Sequence, residues 1–284
     1  MSDIVLSSGV RANLLQLQNT TDLITQTQTR LATGKRVNSA LDNPVNFFTA
    51  QSLTVRSNDL NSLLDSMSTA INTIQAANNG ISAITKLVQS AEALVSQAKQ
   101  TTDTTVRQSL ATQYDALLTQ IGSLAQDAGF NGINLLGGDS LTVVLNEKSS
   151  PSTVTVTGID YSNASATGPG QLAITSQNAS VWGGSNTTAA TNALSQASSD
   201  LSYALTTLRS ESQALSSNLS TVQVRQDFTK AMVNTLNTGA DNLTLADSNE
   251  EGANLLALQT RQQLSSTALS LASQADQNVL RLFQ

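Results

Sequence analysis

The sequence contains no cysteine and no histidine. Those two absences exclude disulfides, thiolate nucleophiles, imidazole metal ligands and every histidine-based catalytic triad, so no cofactor or metal is expected. Charge is scarce at 12% of residues, and aromatic side chains make up only 3%. No run of 18 apolar residues exists, so nothing reads as a membrane span. The net charge is −6, with a pI near 4.5 and no basic cluster larger than Lys35-Arg36, which disfavours nucleic acid and anionic lipid as partners. The opening stretch "MSDIVLSSGVRANLLQ" lacks the basic start and continuous apolar core of a cleaved secretory signal. What the chain does have is Ser, Thr, Asn, Gln and Ala around a 39% hydrophobic share supplied by Leu, Val, Ile and Ala. Small aliphatic side chains suit thin helix-on-helix seams better than a thick globular centre, where aromatics usually supply much of the buried area.

Apolar positions stepping by four and three residues mark such seams. Val10, Leu14, Leu17, Thr21, Ile24, Gln28 and Leu31 follow that step, weakly, because two of the places are polar. "RLATGKRVNSALDNPVNFF", residues 30–48, then reads as a corner. Gly34 suits a left-handed helix cap with Lys35 and Arg36 beside it, and Asn43 before Pro44 suits a new helix start. From Leu60 a stronger row runs through Leu64, Met67, Ile71 and Ile74 to Ala77 and on to Ala98, with a stammer near Asn78-Asn79-Gly80 that is expected to overwind the helix locally or bend it. Leu110, Tyr114, Leu117, Ile121, Leu124 and Ala128 form a third row.

Between 131 and 187 the periodicity changes, and "LTVVL", "STVTVTGI" and "QLAIT" read as three short strands. The helical step returns in Leu201, Leu205, Leu208, Ser212, Leu215, Leu219, Val222, Gln226, Thr229, Val233 and Leu236, and "NTGADN" (237–242) is expected to interrupt it. A last row holds Leu264, Ala268, Leu271, Ala275 and Leu282. The fold class is therefore mainly α: a long antiparallel helical bundle or coiled-coil rod with paired terminal helices and a small β-hairpin-rich insert. The segments divide at 1–43, 44–130, 131–187, 188–238 and 239–284.

The terminal segments are poor in charge, with only Asp3, Arg11, Asp22 and Arg30 before Thr33 and Arg261, Asp276 and Arg281 after Leu255. Solvent-facing helices usually carry more. Their seams offer little apolar burial against the entropy of ordering them, so these ends are expected to be disordered in an isolated chain and to fold when neighbouring copies cover them. Faces that each need another copy and are not self-complementary give head-to-tail contacts and open helical filaments.

The 30–48 stretch closely resembles the N-terminal signature of bacterial flagellins, R-L-x-x-G-x-R-[IV]-N-S-A-x-D-[DN]-P-A. Arg30, Leu31, Gly34, Arg36, Val37, Asn38, Ser39, Ala40, Asp42, Asn43 and Pro44 match, and Val45 departs at the last alanine. "TALSLASQADQNVLRLF" is similar to the family's C-terminus, and "AGFNGINLL" to its F-N-G-x-x-L-L. The resemblance implies a self-polymerising structural subunit of the flagellar filament and no enzymatic activity. It implies an N-terminal tube helix and connector at 1–43, rod helices at 44–130 and 188–238, a reduced variable outer domain at 131–187, and a connector and C-terminal tube helix at 239–284. It also implies unfolded type III export without a cleaved signal, an extracellular location, and a filament cap, hook-junction proteins and an export chaperone as partners. Toll-like receptor recognition is expected to be weak, because "VQSAEALVSQA" keeps Glu92 and Leu94 but lacks the family's arginine.

Other readings carry less weight. "TGKRVNSA" lacks the second glycine and the Ser/Thr of a phosphate loop. Glu250-Glu251 reads as a solvated helix start and Trp182 as a residue packed under the insert. A hook-filament junction protein and a non-motile adhesin are the structural competitors. A zinc-protease insert needs histidines that the chain lacks.

Overall fold

The structure, a computed structural model, describes residues 8–184 and 187–282, except for the side chains of 276 and 279–282. The elements in chain order are α1 (Ser8–Thr33), α2 (Pro44–Gln100), α3 (Thr104–Asp127), β1 (Ser140–Val144), β2 (Thr153–Thr157), α4 (Ala179–Trp182), α5 (Thr187–Thr244) and α6 (Ser248–Leu282). They fall into two compact units, 58–233 and 1–57 with 234–284. The chain is mainly α with one small antiparallel hairpin, the class its periodicity predicts.

In the 58–233 unit, the rows read from the sequence form the core. Leu60, Met67, Ile74, Ile81, Ile84, Val88, Leu110, Leu201, Leu208, Leu215 and Val222 are buried, and Leu64, Ile71, Leu117 and Leu124 pack partly buried against them. Polar members of the α5 row meet polar members of α2. Ser212 Oγ donates to Asn78 Oδ1 at 3.3 Å, and Gln226 Nε2 donates to Ser68 Oγ at 2.8 Å. A leucine row alone tolerates slippage by a heptad, whereas such pairs fix the register. The stammer does not break α2. Gly80 instead lets α2 approach the exit of α3, where an added Cβ would lie 2.6 Å from Leu136 Cδ1 and 2.7 Å from Ala128 Cβ.

The "AGFNGINLL" stretch is a helix stop. Asn134 Nδ2 donates to the carbonyls of Ala125 and Gln126 at 2.8 and 2.9 Å, satisfying orphan acceptors at the end of α3. Asn131 and Gly132 turn the chain through positive φ, and Leu135 and Leu136 then enter the core. In the hairpin, Leu141 faces Val156 and Val143 faces Val154. The third expected strand does not form. Residues 171–175 alternate as a strand would, with Leu172 and Ile174 buried, but Ala173 has φ of 52° and the segment bonds irregularly to Ala164 and Ala166. Side-chain carboxylates clamp it instead: Asp200 accepts from Thr175 N at 3.1 Å and Asp115 from Gln177 N at 2.8 Å. Trp182 is fully buried beside Tyr114 and donates to Gln177 Oε1 at 3.0 Å, a packing role.

The break expected at 237–242 also falls elsewhere. The helix runs through "NTGADN" to Thr244, because Gly239 lies against Leu53 of α2, where a Cβ would sit 3.4 Å from Leu53 Cδ1, and Ala240 and Thr244 are buried on the same face. The helix break lies between Thr244 and Ser248.

Candidate functional site

The unit made of 1–57 and 234–284 is built around two chain corners. Gly34 ends α1 with φ of 67°, the left-handed cap its position predicts. Beyond it the main chain pairs with the stretch after α5: Arg36 N and Val37 N donate to Thr244 O at 2.7 and 3.2 Å, and Ala246 N donates to Gly34 O at 3.0 Å. Asn38 Nδ2 donates to Lys35 O at 2.9 Å. The Asp42 carboxylate accepts from the amides of Ser39 and Asn38 at 2.9 and 3.0 Å and from Ser39 Oγ at 3.2 Å. Those backbone bonds hold its pKa below the ordinary aspartate value. Asn43 Oδ1 accepts from Asn46 N at 3.0 Å, and Pro44 opens α2. The motif residues therefore act as a turn-building set.

The α1–α6 pair follows a register that differs from the sequence reading. Val10 and Ile24 are buried, and Leu17 and Leu31 half-buried, as expected. The alternate places are filled by Asn13, Thr20 and Thr27, while Leu14 is 37% exposed and Thr21 and Gln28 face outward. Thr20 is suited to the inner row because its hydroxyl bonds back to Gln16 O at 2.8 Å, so it is buried without an orphaned polar group. On α6 the inner row is Glu251, Leu255, Leu258, Gln262, Ser265, Leu269 and Ala272. Leu264 and Leu271 are 67% and 61% exposed, and Ala268 and Ala275 are exposed with them. The sequence reading selected the row of Leu264 and Leu271, whereas α1 packs on the row of Leu255, Leu258 and Leu269. Leu282 falls among the side chains outside the described residues. α6 is thus apolar along two lines, only one of which is covered within the chain.

Glu251 differs from its expected solvated state. It is buried and pairs with Arg30 Nη1 at 3.1 Å across α1 and α6. A helix start is a favourable place for that carboxylate, since the dipole there is positive. Its distance in sequence from Arg30 left no signal for the pairing. In the stretch compared above with a receptor-binding motif, Val88, Ala91, Val95 and Ala98 are buried, and Glu92 and Leu94 half-buried. Among the described residues there is no group of three potential metal ligands and no helix long and apolar enough to cross a membrane.

Comparison with known proteins gives the same answer as the motifs. Residues 7–140 match the family model of the bacterial flagellin N-terminal helical region. Flagellin FljM of Caulobacter vibrioides is 30% identical over all of this chain and 99% of its own length, and flagellin FljK of the same organism matches at 30% with the same coverage. Flagellin A of Rhizobium meliloti is 42% identical over 81 residues, 28% of this chain and 21% of that protein. With two corners stitched by main-chain bonds, an α6 apolar on two sides and relatives matched from end to end, the chain belongs to the bacterial flagellins, non-enzymatic structural subunits of the extracellular flagellar filament.

Proposed function

We propose that the α1–α6 pair is the assembly element of this subunit, that residues 34–44 are the connector, and that the 58–233 unit is the rod with its reduced outer insert. One observation carries this reading: the uncovered row Leu264, Ala268, Leu271 and Ala275 on α6. An apolar row at heptad spacing is unfavourable in water and favourable against another helix, and in a homopolymer the available helices are those of identical copies. The same row explains why the terminal pair gains order on assembly, since its inner seam alone holds polar Thr20, Thr27, Gln262 and Ser265. Chemistry plays no part; the subunit transmits motor rotation through packing.

Export in an unfolded state without a cleaved leader, and contacts with a cap, a junction protein and a chaperone, belong to this reading by family. Receptor recognition is weak in the same reading, and activation of a receptor reporter at ordinary agonist concentrations contradicts it. Electron microscopy of purified protein seeded with sheared filament fragments tests the central claim. Long filaments support it, whereas short rings identify a junction protein.

A further inference from the structure

We infer that Asn131-Gly132 is a self-modifying site: in the folded chain the Asn131 side-chain amide is lost by attack of the adjoining backbone nitrogen, leaving aspartate and isoaspartate. The sequence holds two Asn-Gly pairs, Asn79-Gly80 and Asn131-Gly132. Glycine after asparagine leaves the attacking nitrogen unshielded by a side chain and the backbone free to turn. The fold treats the two pairs oppositely.

Gly80 is buried within α2, where its amide is committed to the carbonyl four residues back. An added Cβ there would lie 2.6 Å from Leu136 Cδ1 and 2.7 Å from Ala128 Cβ, so that stretch is closely packed. Asn131 and Gly132 instead form the two-residue tip of a turn, with φ of 51° and 80°. Asn-Gly suits such a tip because both residues need positive φ. The bonds that close the turn belong to its flanks: Phe130 N donates to Ile133 O at 2.9 Å and Ile133 N to Phe130 O at 3.0 Å. Both tip residues are exposed, and an added Cβ on Gly132 would meet nothing within 4 Å. Among the described residues none accepts from Gly132 N, and none bonds the Asn131 side chain. Electrophile and nucleophile are therefore adjacent, wet and uncommitted.

The reaction needs only water. Hydroxide takes the proton of Gly132 N, and the nitrogen attacks Asn131 Cγ. The new C–N bond closes a succinimide ring as the bond from Cγ to Nδ2 breaks, and ammonia leaves with a proton from water. Water then opens the ring. Attack at Cγ gives aspartate, whereas attack at the Asn131 main-chain carbonyl carbon gives isoaspartate, whose backbone runs through the side chain.

The products differ in effect. Aspartate tolerates positive φ and keeps the turn. Isoaspartate adds an atom to the main chain between Phe130 and Ile133, so their paired bonds cannot both persist. Asn134, which follows at once, holds the carbonyls of Ala125 and Gln126 at 2.8 and 2.9 Å, and Leu135 and Leu136 then enter the core. The modified subunit is therefore loosened at the exit of α3.

To test this, the folded full chain is incubated in mildly alkaline buffer, and timed samples are digested and labelled with isoaspartyl methyltransferase for mass spectrometry. Isoaspartate is expected to accumulate at 131 at least about tenfold faster than at 79, since freeing the Gly80 amide requires opening a core helix. In denaturant the two pairs are expected to react at like rates. Equal rates in the folded chain, faster reaction at 79, or the same preference in denaturant would overturn the site. Asn131→Gly keeps the turn and removes the amide. Its Ile133 amide is expected to stay protected from exchange on ageing, while that of wild type loses protection. Parallel loss in the two chains would overturn the link between the modification and the exit of α3.

Discussion

Two carboxylates in this chain shift in opposite directions for opposite reasons. Asp42 is lowered by the backbone amides of Ser39 and Asn38, so the turn is held fully at neutral pH and loosens only as pH falls through the lowered value. Protection of the Asn38 and Ser39 amides, measured relative to free-peptide exchange at each pH, is expected to hold down to the ordinary aspartate range and to fall below it; Asp42→Asn is expected to lose protection at pH 7. Glu211 is raised because burial disfavours its charged form. Its charge is therefore a penalty above the folded pKa that disappears below the unfolded one. Glu211→Gln is expected to raise the melting temperature at pH 7 and to give no gain at pH 3, measured by calorimetry. A third residue acts by size. Gly122 lies against the carbonyl of Ser162, and an added Cβ would collide with that main chain and force it to shift. Gly122→Ala is expected to cost about 1–3 kcal/mol in a denaturant titration.

The two apolar rows of α6 give a paired prediction at the scale of the element. Leu258→Asp puts a charge in the seam against α1 and is expected to loosen the terminal pair, read as faster amide exchange in α1. Leu264→Asp leaves that seam alone and is expected to preserve exchange while abolishing filament growth. If both variants polymerise like wild type, the assignment of either row to assembly is wrong. Sequence alone identified both termini as heptad helices and found Val10, Leu17, Ile24 and Leu31 on α1, but on α6 it chose the row that α1 leaves uncovered, because two rows of equal leucine content do not show which side a partner occupies. Thr20 was invisible as a seam residue until its bond to Gln16 showed how a hydroxyl can be buried there. The α2 and α5 rows were legible because Ile74, Val88, Leu208 and Leu215 leave one strongly apolar side. Residues 171–175 were misread as a strand because burial alternates there while the backbone turns through positive φ at Ala173 and bonds to the loop carbonyls of Ala164 and Ala166 and, at Thr175, to the Asp200 carboxylate.

For the whole molecule, the division into 58–233 and the remaining unit makes a truncation informative. Deleting 1–33 removes α1 and with it one half of the seam of α6, while the 58–233 unit keeps its own sequence whole. The truncated chain is expected to retain a cooperative unfolding transition and to form no filaments by electron microscopy. Filaments from it would contradict the role given to the terminal pair. Family membership was readable at this scale because the matching motifs do structural work: Gly34, Asn38, Asp42 and Asn43 build a corner, and Asn134 stops α3. The Arg30–Glu251 pair and the end of α5 at Thr244 were not readable, since each depends on segments far apart in sequence.

The stitch between 34–37 and 244–246 is made from peptide groups. Peptide groups do not mutate, so drift in the neighbouring side chains can remodel what copies recognise without weakening this joint. The three bonds also tie the chain leaving α1 to the chain leaving α5. If 34–44 is the connector proposed above, the torque on a part that is spun for its whole working life would pass through a joint built from groups that side-chain substitutions leave in place.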